Sequence, residues 1–95
     1  MAVSYDEVEK FLRGEVATIT GRGEAEVTAD TGLIGPQRVV DSADLVMLLL
    51  AVEDFAREQL SAEFDWTSDS AMSEARSNLR SVGALAQHLM TLQAP

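Results

Sequence analysis

Apolar residues recur at helical spacing near the start of the chain, directly after a pattern that begins helices. Ser4 and Glu7 form a capping box, in which a serine is followed three residues later by a glutamate. The glycines at positions 21 and 23 are suited to end the helix that follows. The stripe predicted to be buried on this helix comprises Val8, Phe11, Leu12, Val16 and Ile19.

A second helical pattern begins at Asp41-Ser42 and runs to about Leu60, and either of its first two residues can serve as the N-cap. One face, predicted to be buried, carries Leu45, Leu48, Leu49, Val52, Phe55 and Ala56. A different stripe, beside Ser42, carries Ala43, Met47, Leu50 and Asp54. The first half of this helix is therefore apolar nearly all round, which is typical of a helix that is deeply buried or that docks a partner.

The last helical pattern follows Ser81, a suitable N-cap. Its predicted buried stripe comprises Val82, Leu85, Ala86, Leu89 and Leu92. A brief further helix is predicted from Ala71 to about Arg76, with Asp69 or Ser70 as its cap.

The long segment between the first two helices contains glycines and Pro36, which predict turns. It also carries four apolar residues that can hold it against a core, namely Leu33, Ile34, Val39 and Val40. Taken together, the patterns predict an all-α fold, a small antiparallel helical bundle of three long helices and one short helix. At 95 residues the chain is expected to form a single domain, residues 1–95.

The charge of the chain restricts its partners. Sixteen acidic residues oppose seven basic ones, for a formal net charge of −9. Nucleic acid and anionic membrane surfaces repel such a chain, so neither is expected as a partner, whereas a protein partner is expected to present a basic face. The first residues are too polar for a signal peptide, and the longest apolar run, residues 45–52, is too short to span a bilayer. We expect a cytoplasmic monomer.

Residues that could support catalysis are few. The absence of cysteine excludes disulfides, thiolate metal sites and a cysteine nucleophile, and no metal site is expected. The sequence disfavours a small hydrolase that uses Ser42 and His88, because it has no Gly-x-Ser-x-Gly elbow and the histidine has no evident orienting partner. No catalytic residue is assigned, and the protein is not expected to be an enzyme.

Three parts of the chain resemble the acyl carrier protein family, and one of them, residues 71–74 followed by 78–82, is similar to a divergent branch of that family. The segment from Val40 to Asp54, with its Asp41-Ser42 pair, is similar to the serine motif and second helix of that family, and residues 80–89 are similar to its last helix. The resemblance extends over roughly residues 4 to 92. It implies that Ser42 carries covalent 4′-phosphopantetheine, derived from coenzyme A, and that Asp41 helps to position this group or the enzyme that attaches it.

The resemblance also implies the partners and the surface that meets them. A phosphopantetheinyl transferase would modify the serine, an acyl- or aminoacyl-activating enzyme would load the thiol, and downstream transferases would receive the cargo. The residues expected to face these enzymes are Ala43, Met47, Leu50, Glu53 and Asp54. The family usually has leucine where this chain has Ala43, and an acidic stripe where it has Met47 and Leu50, which favours a specialised biosynthetic pathway.

An alternative function belongs to a different class. A small helical adaptor could bind protein through the apolar second helix without ever being modified. The two hypotheses differ at Ser42, which a carrier requires and an adaptor does not. Asp69-Ser70-Ala71 repeats Asp41-Ser42-Ala43, but a short polar helix is predicted after it, so Ser42 is the predicted site of modification.

Overall fold

Three α-helices form the scaffold of the part of the chain that the structure, a computed structural model, describes: residues 3–36, 38–64, 66 and 78–93. They are α1 (Tyr5–Thr20), α2 (Ser42–Gln59) and α3 (Val82–Leu92), and a 3₁₀ turn, Glu24–Glu26, lies between α1 and α2. The described residues form no strand beyond one isolated bridge between Gly32 and Arg38. The all-α class is confirmed, whereas the short helix predicted at residues 71–76 lies outside the described residues.

Both ends of α1 match the sequence prediction. The hydroxyl of Ser4 accepts a hydrogen bond from the backbone N–H of Glu7 at 3.2 Å, which satisfies one of the free donors at the start of the helix. Gly21 ends α1 in the left-handed conformation, with φ 73°, a region that glycine adopts without steric cost. The predicted helix is therefore confirmed at both boundaries.

Helix α1 is central to the packing, because it contacts both α2 and α3. The buried side chains of the three helices are Val8, Leu12, Val16 and Ala17 of α1, Leu48, Leu49, Val52 and Ala56 of α2, and Val82, Leu85, Ala86 and Leu89 of α3. The rings of Phe11 and Phe55 stack at the junction of α1 and α2, with centroids 4.2 Å apart. Both are only partly buried, as is Ile19, so the predicted stripes mark the core-facing sides but not the depth of each residue.

The segment between α1 and α2 is folded onto this core. Leu33 and Val40 are buried, as predicted, and Val27, which the sequence pattern did not single out, is buried as well. The N–H of Val39 donates to the carbonyl of Gly32 at 3.0 Å and closes a small loop, within which Gly35 takes a φ of 89°. The loop therefore has fixed ends and two buried anchors, although it contains little regular structure.

The start of α3 is held by the same segment. The N–H of Val82 donates to the carbonyl of Thr31 at 3.0 Å, and that of Gly83 donates to the carbonyl of Ala29 at 2.8 Å. The hydroxyl of Ser81 accepts from the N–H of Ala84 at 3.1 Å, so the predicted N-cap is confirmed. The first backbone donors of α3, which an isolated helix would leave to water, are thus used to dock the loop.

This docking requires a glycine at position 83. A Cβ atom there would lie 3.1 Å from the carbonyl oxygen of Ala29 and 3.3 Å from its Cβ. We expect Gly83→Val to lower the free energy of unfolding by roughly 1–3 kcal/mol, because the added methyl groups must push the loop away from α3. Denaturant unfolding of the variant measures the change.

Gly14, inside α1, is the matched control. Apart from its chain neighbours and the backbone of α1 itself, no described atom lies within 4 Å of the position that its Cβ would take, so Gly14→Ala is expected to raise the free energy of unfolding by up to ~1 kcal/mol through helix propensity alone. If Gly83→Val proves as stable as the unchanged protein, the contact between the loop and α3 is looser than the structure shows.

Candidate functional site

The start of α2 is capped by Asp41, and Ser42 is left as the first helical residue. The Oδ1 atom of Asp41 accepts from the N–H of Asp44 at 2.8 Å, and its carbonyl accepts from the N–H of Leu45 at 2.9 Å. Asp41 has extended backbone angles, as an N-cap residue should. The choice that the sequence left open between Asp41 and Ser42 is therefore settled in favour of Asp41.

Ser42 is exposed on the first turn of α2. Among the described residues, none accepts a hydrogen bond from the backbone N–H of Ser42 or of Ala43, and none is bonded to the Ser42 hydroxyl. These two N–H groups lie at the positive end of the helix dipole, where an anionic group is favoured. The arrangement presents an accessible hydroxyl beside two backbone donors.

The position of this hydroxyl is set by the preceding loop. Val40, two residues before Ser42, is buried with only 2% of its surface exposed, and Leu33 across the loop is fully buried. The bridge between Gly32 and Arg38 joins the two sides of the same loop. Ser42 therefore follows directly on a stretch of backbone that is anchored in the core.

The two faces of α2 separate as the sequence predicts. Leu48 is completely buried, whereas Met47 and Leu50 are 55% and 49% exposed, and Ala43 and Asp54 are also exposed. Val46, at 43% exposure, adds a third large apolar side chain to this surface. It belongs to the apolar run of the sequence, but its spacing did not assign it to either stripe. We call Ala43, Val46, Met47 and Leu50 the exposed stripe of α2.

The predicted acidic contacts at the far end of the exposed stripe have partners within the chain. Glu53 is half-buried, and its Oε2 accepts a hydrogen bond from the indole N–H of Trp66 at 3.1 Å. Asp54 is exposed, and its Oδ1 lies 2.6 Å from the guanidinium Nη2 of Arg57, which also approaches Glu53 at 4.0 Å. Glu53 thus serves partly to hold Trp66 on α2, while Asp54 is the more open of the two carboxylates.

His88 lies on α3, where it is half-buried. Its ring meets that of Phe64 edge-on, with centroids 6.0 Å apart. Among the described residues, no hydrogen bond joins His88 to Ser42 or to Asp41, so the structure does not bring the three into a catalytic arrangement.

The described part of the chain lacks the features of a metal site and of a membrane-spanning helix. There, no three histidine, aspartate or glutamate side chains come together closely enough to hold a metal ion. No helix within residues 3–36, 38–64 or 78–93 combines the length and the apolar character that crossing a bilayer requires. Comparison of the chain with protein-family models, curated proteins and solved structures finds no match.

Proposed function

We propose that the protein is a carrier that holds an acyl or aminoacyl group as a thioester on 4′-phosphopantetheine attached to Ser42, and that delivers this group to the enzymes of a specialised biosynthetic pathway. The observation that carries the proposal is that Asp41 and Ser42 have different roles at the start of α2. Asp41 caps the helix, and the exposed hydroxyl of Ser42 forms no hydrogen bond with any described residue. The resemblance of residues 40–54 to the serine motif of acyl carrier proteins supplies the chemistry.

The residues around Ser42 suit a phosphodiester. The backbone N–H groups of Ser42 and Ala43 have no acceptor among the described residues, and they lie where the helix dipole favours negative charge. When bound, the prosthetic group supplies a terminal thiol that carries the cargo as a thioester. The chain itself has no cysteine, so its own residues offer no competing thiol.

Asp41 has a positioning role in this proposal. Its carboxylate accepts a hydrogen bond from the N–H of Asp44 and so stabilises the first turn of α2. This turn sets the direction in which the Ser42 side chain projects from the helix. Because the buried Val40 holds the preceding backbone, the serine can be presented to a modifying enzyme without local unfolding. In this role Asp41 acts through the backbone of α2 and does not contact the phosphodiester directly. One of its carboxylate oxygens already accepts the hydrogen bond from the N–H of Asp44.

The exposed stripe of α2 is the proposed docking surface for the phosphopantetheinyl transferase, the acyl- or aminoacyl-activating enzyme and the downstream transferases. Large apolar side chains at 43–55% exposure are suited to the buried centre of a transient interface. Asp54 lies at the edge of the exposed stripe, where it can meet a basic rim, and Glu53 contributes charge while it holds Trp66.

The carrier proposal is tested by incubating the protein with coenzyme A and a broad-specificity phosphopantetheinyl transferase. We expect intact-mass measurement to show a single addition of one phosphopantetheine, and peptide mapping to place it on Ser42. A reaction without the transferase is the control. Modification at Ser70 instead, or no modification by several transferases, would contradict the proposal.

A second function is supported by the same apolar surface. An unmodified adaptor that binds protein through Val46, Met47 and Leu50 would equally explain why three large apolar side chains are exposed on one helix. It predicts that partner binding survives Ser42→Ala without loss, whereas the carrier hypothesis predicts that transfer of cargo is lost.

A further inference from the structure

A hollow on the outer side of α3 is lined mainly by polar and basic side chains. Its volume is about 260 Å³, and it is lined by Asn78, Arg80, Ala84, Gln87, His88 and Thr91. Ala84 and His88 lie one helical turn apart on the same side of α3, and Arg80 lies just before the N-cap Ser81 and lines the hollow with them. The small side chain of Ala84 leaves space between the guanidinium and the imidazole.

Four of the side chains around this hollow can donate hydrogen bonds. Arg80 offers a guanidinium fork, His88 a ring N–H, and Asn78 and Gln87 one amide group each. The hydroxyl of Thr91 does not add to these donors, because it already donates to the carbonyl of His88 at 2.6 Å. None of the described residues that line the hollow is acidic.

The hollow lies on the part of the chain that follows the last acidic residue. All 16 acidic residues lie between Asp6 and Glu74, and residues 75–95 contain two arginines, a histidine and no acidic residue. In a chain with a net charge of −9, the segment that contains α3 and Arg80 thus carries no acidic residue of its own. At physiological ionic strength, charges more than about 8–10 Å away are largely screened, so acidic residues at greater distances do not prevent Arg80 from attracting an anion.

The backbone N–H groups at the start of α3 are not available to a ligand in the hollow. The first donors of the helix, the N–H groups of Val82 and Gly83, are bonded to the loop, and that of Ala84 is bonded to the hydroxyl of Ser81. A ligand in the hollow would therefore be recognised by side chains, and removing one of those side chains should remove its share of the binding.

We propose that this hollow binds a phosphate monoester. An Arg fork with a ring N–H and two amides offers more donors than the two oxygens of a carboxylate need, whereas a phosphate has three terminal oxygens and up to two negative charges. The hollow exceeds by severalfold the volume of about 30 Å³ that one water occupies in the liquid, which leaves room for an organic group beside the phosphate. The site is separate from Ser42 and does not depend on the proposed carrier function.

The proposal is tested by titrating small anions into the unmodified full chain. NMR signals of the backbone amides and of the Asn, Gln and His side chains report binding. The probes are glycerol phosphate and inorganic phosphate, with acetate as the carboxylate comparison and sodium chloride to hold ionic strength constant. We expect both phosphates to shift the side-chain signals of Asn78, Gln87 and His88 in a saturable manner, and acetate to do so at least tenfold more weakly. Equal saturation by acetate would overturn the assignment to phosphate.

Two variants locate the binding. Arg80→Gln should weaken phosphate binding at least tenfold, because it removes a charge-assisted bidentate contact. Arg22→Gln, at an exposed arginine outside the hollow, is the matched control and should bind phosphate as the unchanged protein does.

Ala84→Met keeps every donor but fills the space between Arg80 and His88, so it should also weaken binding. It covers the case in which Arg80→Gln does not fold. If Arg22→Gln weakens binding as much as Arg80→Gln, or if Ala84→Met has no effect, the interaction is general attraction to positive charge and the proposed site does not exist.

Discussion

Ser42→Ala is expected to abolish the attachment of phosphopantetheine completely while the free energy of unfolding changes by no more than about 0.5 kcal/mol, as for other exposed positions. The physical reason is that Asp41, not Ser42, supplies the oxygen that caps α2. The hydroxyl can therefore be removed without leaving a helix donor unsatisfied. Intact mass after treatment with coenzyme A and transferase measures the first effect, and denaturant unfolding measures the second.

Asp41→Ala is the matched variant, and it should behave in the opposite way. Loss of the N-cap is expected to lower the free energy of unfolding by about 0.5–2 kcal/mol, while the hydroxyl of Ser42 remains and some modification persists. If Ser42→Ala is the variant that unfolds, Ser42 is chiefly structural and the adaptor hypothesis gains support. If Ser42→Ala is still modified, Ser42 is not the carrier residue.

Leu48→Glu is expected to unfold the protein, whereas Met47→Glu at the adjacent position is expected to leave it folded. Leu48 is completely buried, so the change removes a core side chain, which alone is worth about 2–5 kcal/mol, and places a carboxylate among apolar groups. The total is a large share of the ~5–15 kcal/mol by which domains are stable. Met47 is 55% exposed, so its replacement should change the free energy of unfolding little. Circular dichroism at room temperature distinguishes the two outcomes.

The folded Met47→Glu variant then tests the docking surface. If the exposed stripe meets the loading enzyme, the variant should raise the dissociation rate with little change in salt dependence, because it removes an apolar anchor. Asp54→Lys should instead slow association, and that loss should shrink at high salt, as expected for a charge at the rim. Unchanged dissociation of Met47→Glu would show that partners bind elsewhere.

The sequence predicted those features of the fold that local chemistry decides. The cap at Ser4, the glycine that ends α1 and the cap at Ser81 depend on contacts between residues no more than four positions apart. The buried faces follow from the helical repeat, since residues such as Leu48 and Val52 must lie on the side opposite Met47 and Leu50. The all-α class could be predicted for the same reason. The carrier function stays a prediction, because it depends on recognition of Ser42 by another protein.

The tertiary structure decided what depends on residues far apart in the chain. Asp41 and Ser42 are equally good caps by residue type, and only the backbone conformation in the structure assigns the cap to Asp41. The bond between Glu53 and Trp66, the close approach of Gly83 to Ala29 and the hollow beside Arg80 each join or expose groups that local spacing leaves undetermined. Helical periodicity fixes which residues share a face, but only packing fixes which groups from different segments meet.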